Sequence, residues 1–101
     1  MNYYLYKGIF PNGKLYFGLT NDFARRISGH LNTAKYRPKY AVHHAMNKYG
    51  VESVKWSILC ISDRDYIADL EIKAIAHFHT LDRRFGYNTA VGGDLGLMKS
   101  E

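Results

Sequence analysis

The chain has 101 residues, 47% of them apolar, which suits one compact domain over residues 1–101 with its own hydrophobic core. The single cysteine, Cys60, excludes a disulfide framework, and the lack of a charged leader or a membrane-length apolar segment predicts a cytoplasmic protein. The net charge of +5 is compatible with a polyanionic partner.

A hairpin of two strands is predicted at the start of the chain. Residues 3–10 are rich in aromatic and β-branched side chains, and residues 14–19 have the same character. Between them lies Pro11-Asn12-Gly13, in which Asn-Gly is a strong turn signal. The two strands are therefore expected to pair in antiparallel orientation.

Three helices are predicted from the spacing of apolar residues. The first begins at Asn21 or Asp22 and is stopped by Pro38, the second covers about 39–49, and the third is capped by Asp63. The side chains expected to face the core are Phe23, Ile27, Leu31 and Ala34 in the first helix, Val42, Ala45 and Met46 in the second, and Ile67, Leu70, Ala74, Ile75 and Phe78 in the third.

A third strand is predicted over residues 54–61, immediately before the third helix. It contains Cys60, which we expect to be a buried small hydrophobe rather than a nucleophile. The glycine-rich tail from residue 83 is expected to be mostly loop, with one short helical turn at most. The order ββααβα predicts an α/β fold in which a small three-stranded antiparallel sheet is flanked by helices.

Glu71 is the first candidate for chemistry. Helical spacing places it on or beside the stripe of the third helix that faces the core. A partly buried carboxylate is costly unless it is paired or holds a metal ion. Two interpretations therefore stay open, a salt bridge with a buried arginine and a metal ligand.

Arg26 and His30 are four residues apart and share one face of the first helix, whereas Arg25 should point further into solvent. The planar fork of an arginine suits charge that is spread over phosphate oxygens. A histidine can transfer a proton near neutral pH. The alternative is that both residues form the solvated edge of an amphipathic helix.

Tyr6 and Tyr16 lie on the two hairpin strands, where they can face each other on one side of the sheet. Their hydroxyl groups could orient a water or act as a base, or the rings could be a core pair. Asn88 in the tail could bond a catalytic group or a phosphate, unless the tail is only a flexible loop. The spacing of His43 and His44 does not suggest a zinc site.

The order of these residues resembles the GIY-YIG nuclease family over nearly the whole chain. Tyr4-Leu5-Tyr6 and Tyr16-Phe17-Gly18 are similar to its two motifs, separated by a matching short hairpin. Residues 21–30 resemble its first helix, which carries an arginine and a histidine. Glu71 falls at the position of the metal-binding glutamate, and residues 86–88 look like the closing asparagine motif.

Residues 45–50 resemble the second helix of phage and intron-encoded members of the family. Together with Gly92-Gly93, which follows the asparagine motif, they favour the homing subgroup. The departures are Tyr4 in place of a glycine and Leu5 and Phe17 in place of isoleucines, none of which removes a chemical group. Homing members carry a separate C-terminal DNA-recognition region, and we expect it to be absent, truncated or supplied elsewhere.

The resemblance implies a divalent-metal-dependent endonuclease that hydrolyses double-stranded DNA with Mg²⁺ or Mn²⁺. Two alternatives are a catalytically silent nucleic-acid-binding module on the same fold, and a purely structural domain in which the glutamate pairs with an internal arginine. The resemblance implies that Glu71 holds the metal ion and that Arg26 stabilises the charge on the phosphate. It implies that Tyr6 or Tyr16 activates or positions the attacking water, with Tyr6 favoured as the base. His30 would relay the proton, and Asn88 would order the site.

Overall fold

Three strands and three helices follow one another in the predicted order, which confirms the α/β fold with a three-stranded antiparallel sheet. The computed structural model describes residues 2–93. No helix in this range is long and apolar enough to cross a membrane. The elements are β1 (Tyr3–Ile9), β2 (Leu15–Thr20), α1 (Phe23–Tyr36), α2 (Ala41–Tyr49), a short 3-10 helix (Val51–Ser53), β3 (Lys55–Ser62) and α3 (Arg64–Phe78).

The sheet has the order β2-β1-β3, so the first strand of the hairpin is the central one. In the β1–β2 register Tyr6 pairs with Gly18, and Gly8 pairs with Tyr16. Because paired residues point to the same side of a sheet, the two tyrosines share one face. They lie diagonally rather than directly opposite, which corrects the expected arrangement and leaves a glycine across from each ring.

β3 forms one edge of the sheet and is more exposed than predicted. Cys60 is only partly buried, so the expectation of a buried small hydrophobe is wrong. Ile58, Leu59 and Ile61 are 41%, 46% and 53% exposed. The strand pairs with β1 alone, and an edge strand that is covered on one side leaves much of its length in solvent.

α1 and α3 begin where their capping residues predict, whereas α2 has no side-chain cap and begins at Ala41. The Asp22 side chain accepts a hydrogen bond from the backbone of Arg25, and Asp63 does the same for Tyr66. Six residues expected in the core are not fully buried: four are partly buried, namely Phe23, Ile27, Leu70 and Ala74, and two are exposed. Leu31 is 36% exposed and Phe78 is 47% exposed, because each lies at the border of the apolar stripe rather than at its centre.

One cluster of buried side chains fastens α1 and α2 to the end of the hairpin. Burial of this apolar surface is the main source of stability for a domain of this size. The cluster also fixes the position of the two helices relative to the sheet. Its buried members are Phe10, Ala34, Val42, Ala45, Met46, Val54 and Tyr87.

The tail closes one short turn, in which the Phe85 and Gly86 N–H groups donate to the Asp82 carbonyl, and is otherwise loop beside β2, as expected. The Leu15 N–H donates to the Phe85 carbonyl at 3.1 Å, and the Tyr87 N–H donates to the Leu15 carbonyl at 3.0 Å. The resulting parallel bridge joins Leu15 and Gly86. The later tail residues Asp94, Leu95 and Gly96, and the chain end, lie outside the described residues.

Candidate active site

A cleft of about 1060 Å³ opens between the hairpin, α1, α3 and the tail. It collects residues from elements that are far apart in sequence, as a site built on a rigid scaffold requires. Five of the six predicted site residues line it, and the sixth, Tyr6, lies directly behind. The lining residues that matter for chemistry are Tyr16, Arg26, His30, His43, Glu71 and Asn88.

The Tyr6 hydroxyl is the meeting point of β1 and α1. Its oxygen lies 2.8 Å from Nε2 of His30 and accepts a hydrogen bond from Nε of Arg26 at 3.3 Å. Tyr6 has no exposed surface, because it sits in the central strand under α1. The shared helix face predicted for Arg26 and His30 therefore serves to bring both side chains to one phenol.

Tyr16 is partly buried and forms part of the cleft wall, with its ring centroid 6.4 Å from that of Tyr6. Burial raises the pKa of Tyr6 well above its usual range, and the neighbouring Tyr16 adds to the effect. Burial also raises the pKa of Tyr16, against the opposing charge of Arg26. Both phenols therefore keep their protons at neutral pH.

His30 is 4% exposed, and its ring stacks on the indole of Trp56 with centroids 5.2 Å apart and planes 5° from parallel. Burial, followed by the charges of Arg26 and His43, lowers its pKa to about 3. The imidazole is neutral at physiological pH. It is held by the stack on its face and by hydrogen bonds at both nitrogens, since Nδ1 lies 3.2 Å from Nε2 of His43.

His43 and Trp56 were not predicted as site residues. His43 follows Val42 and precedes Met46 by three residues, so the buried stripe of α2 could have indicated that it points inward. Trp56 reaches His30 only because β3 pairs with β1 in a register that places it opposite Gly8. That register cannot be read from the local sequence.

Glu71 is 8% exposed on α3, as its helical position predicted. Its Oε1 accepts a 2.7 Å hydrogen bond from the backbone N–H of Gly93. Gly92 and Gly93 both have positive φ, +93° and +70°, a conformation that brings the tail backbone over the carboxylate. The charge of Glu71 acts to raise the pKa of both site tyrosines, so the carboxylate lies within electrostatic reach of them.

Asn88 contacts the backbone of β2 rather than a catalytic side chain. Its Oδ1 accepts from the Phe17 N–H at 3.0 Å, and its Nδ2 donates to the Phe17 carbonyl at 2.8 Å. The amide thereby imitates a neighbouring strand and continues the pairing that the tail begins at Leu15. These two bonds hold the tail against the hairpin.

The acidic residues limit the kinds of metal site the cleft could form. Within residues 2–93, Glu71 is the only acidic residue that lines the cleft, and no group of three or more metal-ligating side chains is present. A single carboxylate suits Mg²⁺ or Mn²⁺, which accept water and phosphate oxygens as their other ligands. It does not suit a structural zinc site.

Comparison with known proteins adds two findings. The sequence matches the family model described as the GIY-YIG catalytic domain over residues 2–88. Among solved structures, a mutant catalytic domain of the intron endonuclease I-TevI has a similar fold, with a TM-score of 0.75 and 24% sequence identity over 89% of this chain and 95% of that one. No curated protein matches the sequence at a significant level.

Proposed function

Because the chain belongs to the GIY-YIG family of nuclease catalytic domains, we propose that it is a divalent-metal-dependent endonuclease acting on double-stranded DNA. One observation supports this most strongly. Tyr6 from β1, Arg26 and His30 from α1, and Glu71 from α3 meet around one open cleft. These are the groups needed to move a proton and to stabilise negative charge on a phosphate.

Arg26 is suited to stabilising the reacting phosphate. It lines the cleft, and its Nε–H is directed at the Tyr6 hydroxyl, so the guanidinium is oriented by a buried anchor. A planar guanidinium offers several N–H donors in a fixed fork, which matches charge spread over phosphate oxygens. A donor that is held in place before the reaction stabilises the transition state without a reorganisation cost.

Glu71 is the residue that would hold the metal ion. The hydrogen bond from the Gly93 N–H orients its carboxylate, as residues around metal ligands commonly do. A bound Mg²⁺ or Mn²⁺ would polarise a phosphate oxygen and neutralise part of the charge that develops there. The partly enclosed position of Glu71 strengthens such an interaction, because fewer waters compete with it.

The tyrosines and His30 provide a route for the proton of the attacking water. Tyr16 lines the cleft and is placed to hold the water, while Tyr6 is bonded to His30. Since both phenols are protonated, they can accept a proton only by passing their own onward. As the water oxygen bonds to phosphorus and the leaving oxygen departs, the water proton enters the tyrosine pair and the Tyr6 proton passes to His30 Nε2. Because the pKa of His30 is low, the ring gives this proton up again through the cleft that it lines, and solvent protonates the leaving oxygen.

We also propose that the enzyme is of the homing type. This is supported by the sequence of residues 45–50 and by the similarity of the fold to the catalytic domain of an intron endonuclease. The corresponding prediction is a low intrinsic sequence preference in this domain. Cleavage of several unrelated duplexes at similar rates by residues 1–101 supports the assignment, and strict cleavage of one short sequence contradicts it.

The test is nicking of supercoiled plasmid by the purified chain, with Mg²⁺ or Mn²⁺ and with excess EDTA. Arg26→Ala and Glu71→Gln should each slow nicking by on the order of 10²-fold or more. Arg25→Ala and Asp69→Asn are matched controls on the exposed faces of the same helices, and should nick at nearly the wild-type rate. Equal rates for all variants, or DNA binding without any product, would overturn the proposal.

A further inference from the structure

His43 on α2 has no role in the reaction described above, yet it is directed at the site. It is 5% exposed, and its Nε2 lies 3.2 Å from Nδ1 of His30. Its own Nδ1 is buried and has no hydrogen-bond partner within residues 2–93. A core position that served packing alone would be better filled by an apolar side chain, since an unpartnered buried nitrogen destabilises the fold.

The neutral His30 ring carries one hydrogen, which sits on either Nδ1 or Nε2. Only the form with the hydrogen on Nδ1 leaves Nε2 able to accept the Tyr6 proton. In the other form Nε2–H donates to the Tyr6 oxygen, and that oxygen already accepts a hydrogen bond from Arg26. The Tyr6 proton would then have to point away from His30, and the proposed transfer would be blocked.

We propose that His43 is a positioning residue that accepts the Nδ1–H of His30 at its own Nε2 and thereby keeps His30 Nε2 open to the Tyr6 proton. The inference rests on the proposed function, because it takes proton transfer from the tyrosines as its premise. With His43 Nε2 as the acceptor, the hydrogen of His43 sits on its own buried Nδ1. Tyr6 donates to His30, and His30 donates to His43.

Two further features keep the His30–His43 contact in place. The indole of Trp56 lies flat against His30, so the imidazole cannot rotate without losing its stack. α2 is fastened by Val42 and Met46, which flank His43 and are both buried in the core. The acceptor atom is thus held by the packing of one helix, and the donor ring by a strand and a second helix.

The first experiment measures the hydrogen position directly. Two-bond ¹H–¹⁵N correlation spectra of the ¹⁵N-labelled full chain distinguish a protonated from an unprotonated imidazole nitrogen, and His30→Gln assigns the signals. We expect His30 to carry its hydrogen on Nδ1 in the wild type. A hydrogen on Nε2 would overturn the inference, whatever the activity of the protein.

The second experiment compares variants at position 43. His43→Phe keeps a ring but removes the acceptor, whereas the side-chain oxygen of His43→Gln can still accept from Nδ1–H. We expect His43→Phe to lower kcat for nicking by about 10-fold to 100-fold at unchanged KM. The spectra of this variant should show His30 with its hydrogen on Nδ1 in some molecules and on Nε2 in others. His43→Gln should retain most of the wild-type kcat and keep the hydrogen of His30 on Nδ1.

His44 supplies the control, because it is the exposed neighbour on the same helix. A kcat for His43→Phe equal to that of His44→Phe contradicts the inference. The two proposals can also fail separately. If the folded wild type never nicks DNA but carries the hydrogen of His30 on Nδ1, the proposed function is contradicted and the inferred His30–His43 hydrogen bond is not. Circular dichroism and melting temperatures of each variant separate loss of folding from loss of positioning.

Discussion

Gly18 lies so close beneath the phenol of Tyr6 that a Cβ atom at this position would stand 2.4 Å from the Tyr6 hydroxyl oxygen. The glycine is the β2 partner of Tyr6 in the sheet, so the backbone cannot move aside without breaking the pairing. The hydroxyl that contacts Arg26 and His30 therefore keeps its position only while residue 18 has no side chain.

We predict that Gly18→Ala displaces the Tyr6 ring. The overpacked core should cost about 1–3 kcal/mol in the free energy of unfolding, and nicking should fall by at least 10-fold because the hydroxyl leaves its hydrogen bonds. Chemical denaturation and plasmid nicking measure the two effects. Gly29→Ala is the control for the free energy of unfolding, since a Cβ at Gly29 meets no atom within 4 Å and alanine favours the helix by up to about 1 kcal/mol. A Gly18→Ala variant that nicks at the wild-type rate would contradict the prediction.

The stability of the fold should fall as the solution is acidified below pH 6.5. The pKa of His30 is lowered to about 3 in the folded state, chiefly by burial, while an unfolded histidine has a pKa near 6.5. Between these values only the unfolded chain takes up the proton, so stability is fully present above pH 6.5 and is lost towards pH 3, by up to about 1.4 kcal/mol per pH unit.

Urea denaturation at a series of pH values checks this dependence. His30→Gln should flatten the decline between pH 6.5 and 4, whereas His77→Gln, on the exposed face of α3, should leave it unchanged. His43 contributes in the same direction, because burial lowers its pKa as well, followed by the charges of Arg26 and His44. A decline as steep in His30→Gln as in the wild type would show that His30 is not its cause.

Loss of the Asn88 side-chain amide should destabilise the packing of the tail against β2 and slow the reaction. Asn88→Ala leaves the buried N–H and carbonyl of Phe17 without partners, at a cost of about 1–3 kcal/mol for each group that water cannot reach. We expect faster amide exchange at Phe17 and slower nicking at unchanged metal dependence. Asn32→Ala, on the exposed side of α1, is the reference variant and should alter neither measurement.

Loss of the Tyr6 hydroxyl should affect the reaction more than the fold. Tyr6→Phe keeps the buried ring but removes the atom that joins Arg26 to His30, so nicking should fall by about 10²-fold or more. Tyr4→Phe, on the same strand, should keep nearly full activity. Single-turnover rates at saturating Mg²⁺ test the difference. A wild-type rate for Tyr6→Phe would show that the Tyr6 hydroxyl takes no part in the proposed proton transfer.

The sequence predicted those parts of the molecule that depend on local pattern. Turn residues, capping side chains at Asp22 and Asp63, and helical spacing gave the order and approximate bounds of all six main elements. The same spacing placed Glu71 towards the interior and put Arg26 and His30 on one face. These features depend on interactions over a few residues, which is why they can be inferred from the chain alone.

The contacts that the sequence did not reveal are those set by tertiary register. Trp56 reaches His30 through the pairing of β3 with β1, and Asn88 reaches Phe17 across 71 residues. The hydrogen bond between His30 and His43 depends on how two helices pack, although they are adjacent in the chain. A one-residue change of register would point each of these side chains elsewhere, and no local signal fixes that register.

Trp56 is the sole tryptophan, and its indole lies in stacked contact with the imidazole of His30. The emission of an indole is sensitive to the ring stacked on it and to small changes in the separation of the two rings. The tryptophan fluorescence of the chain therefore originates beside the imidazole that we propose takes up the Tyr6 proton. Entry of an ion or a duplex that shifts His30 will alter the emission, so occupancy can be followed in real time without attaching a dye.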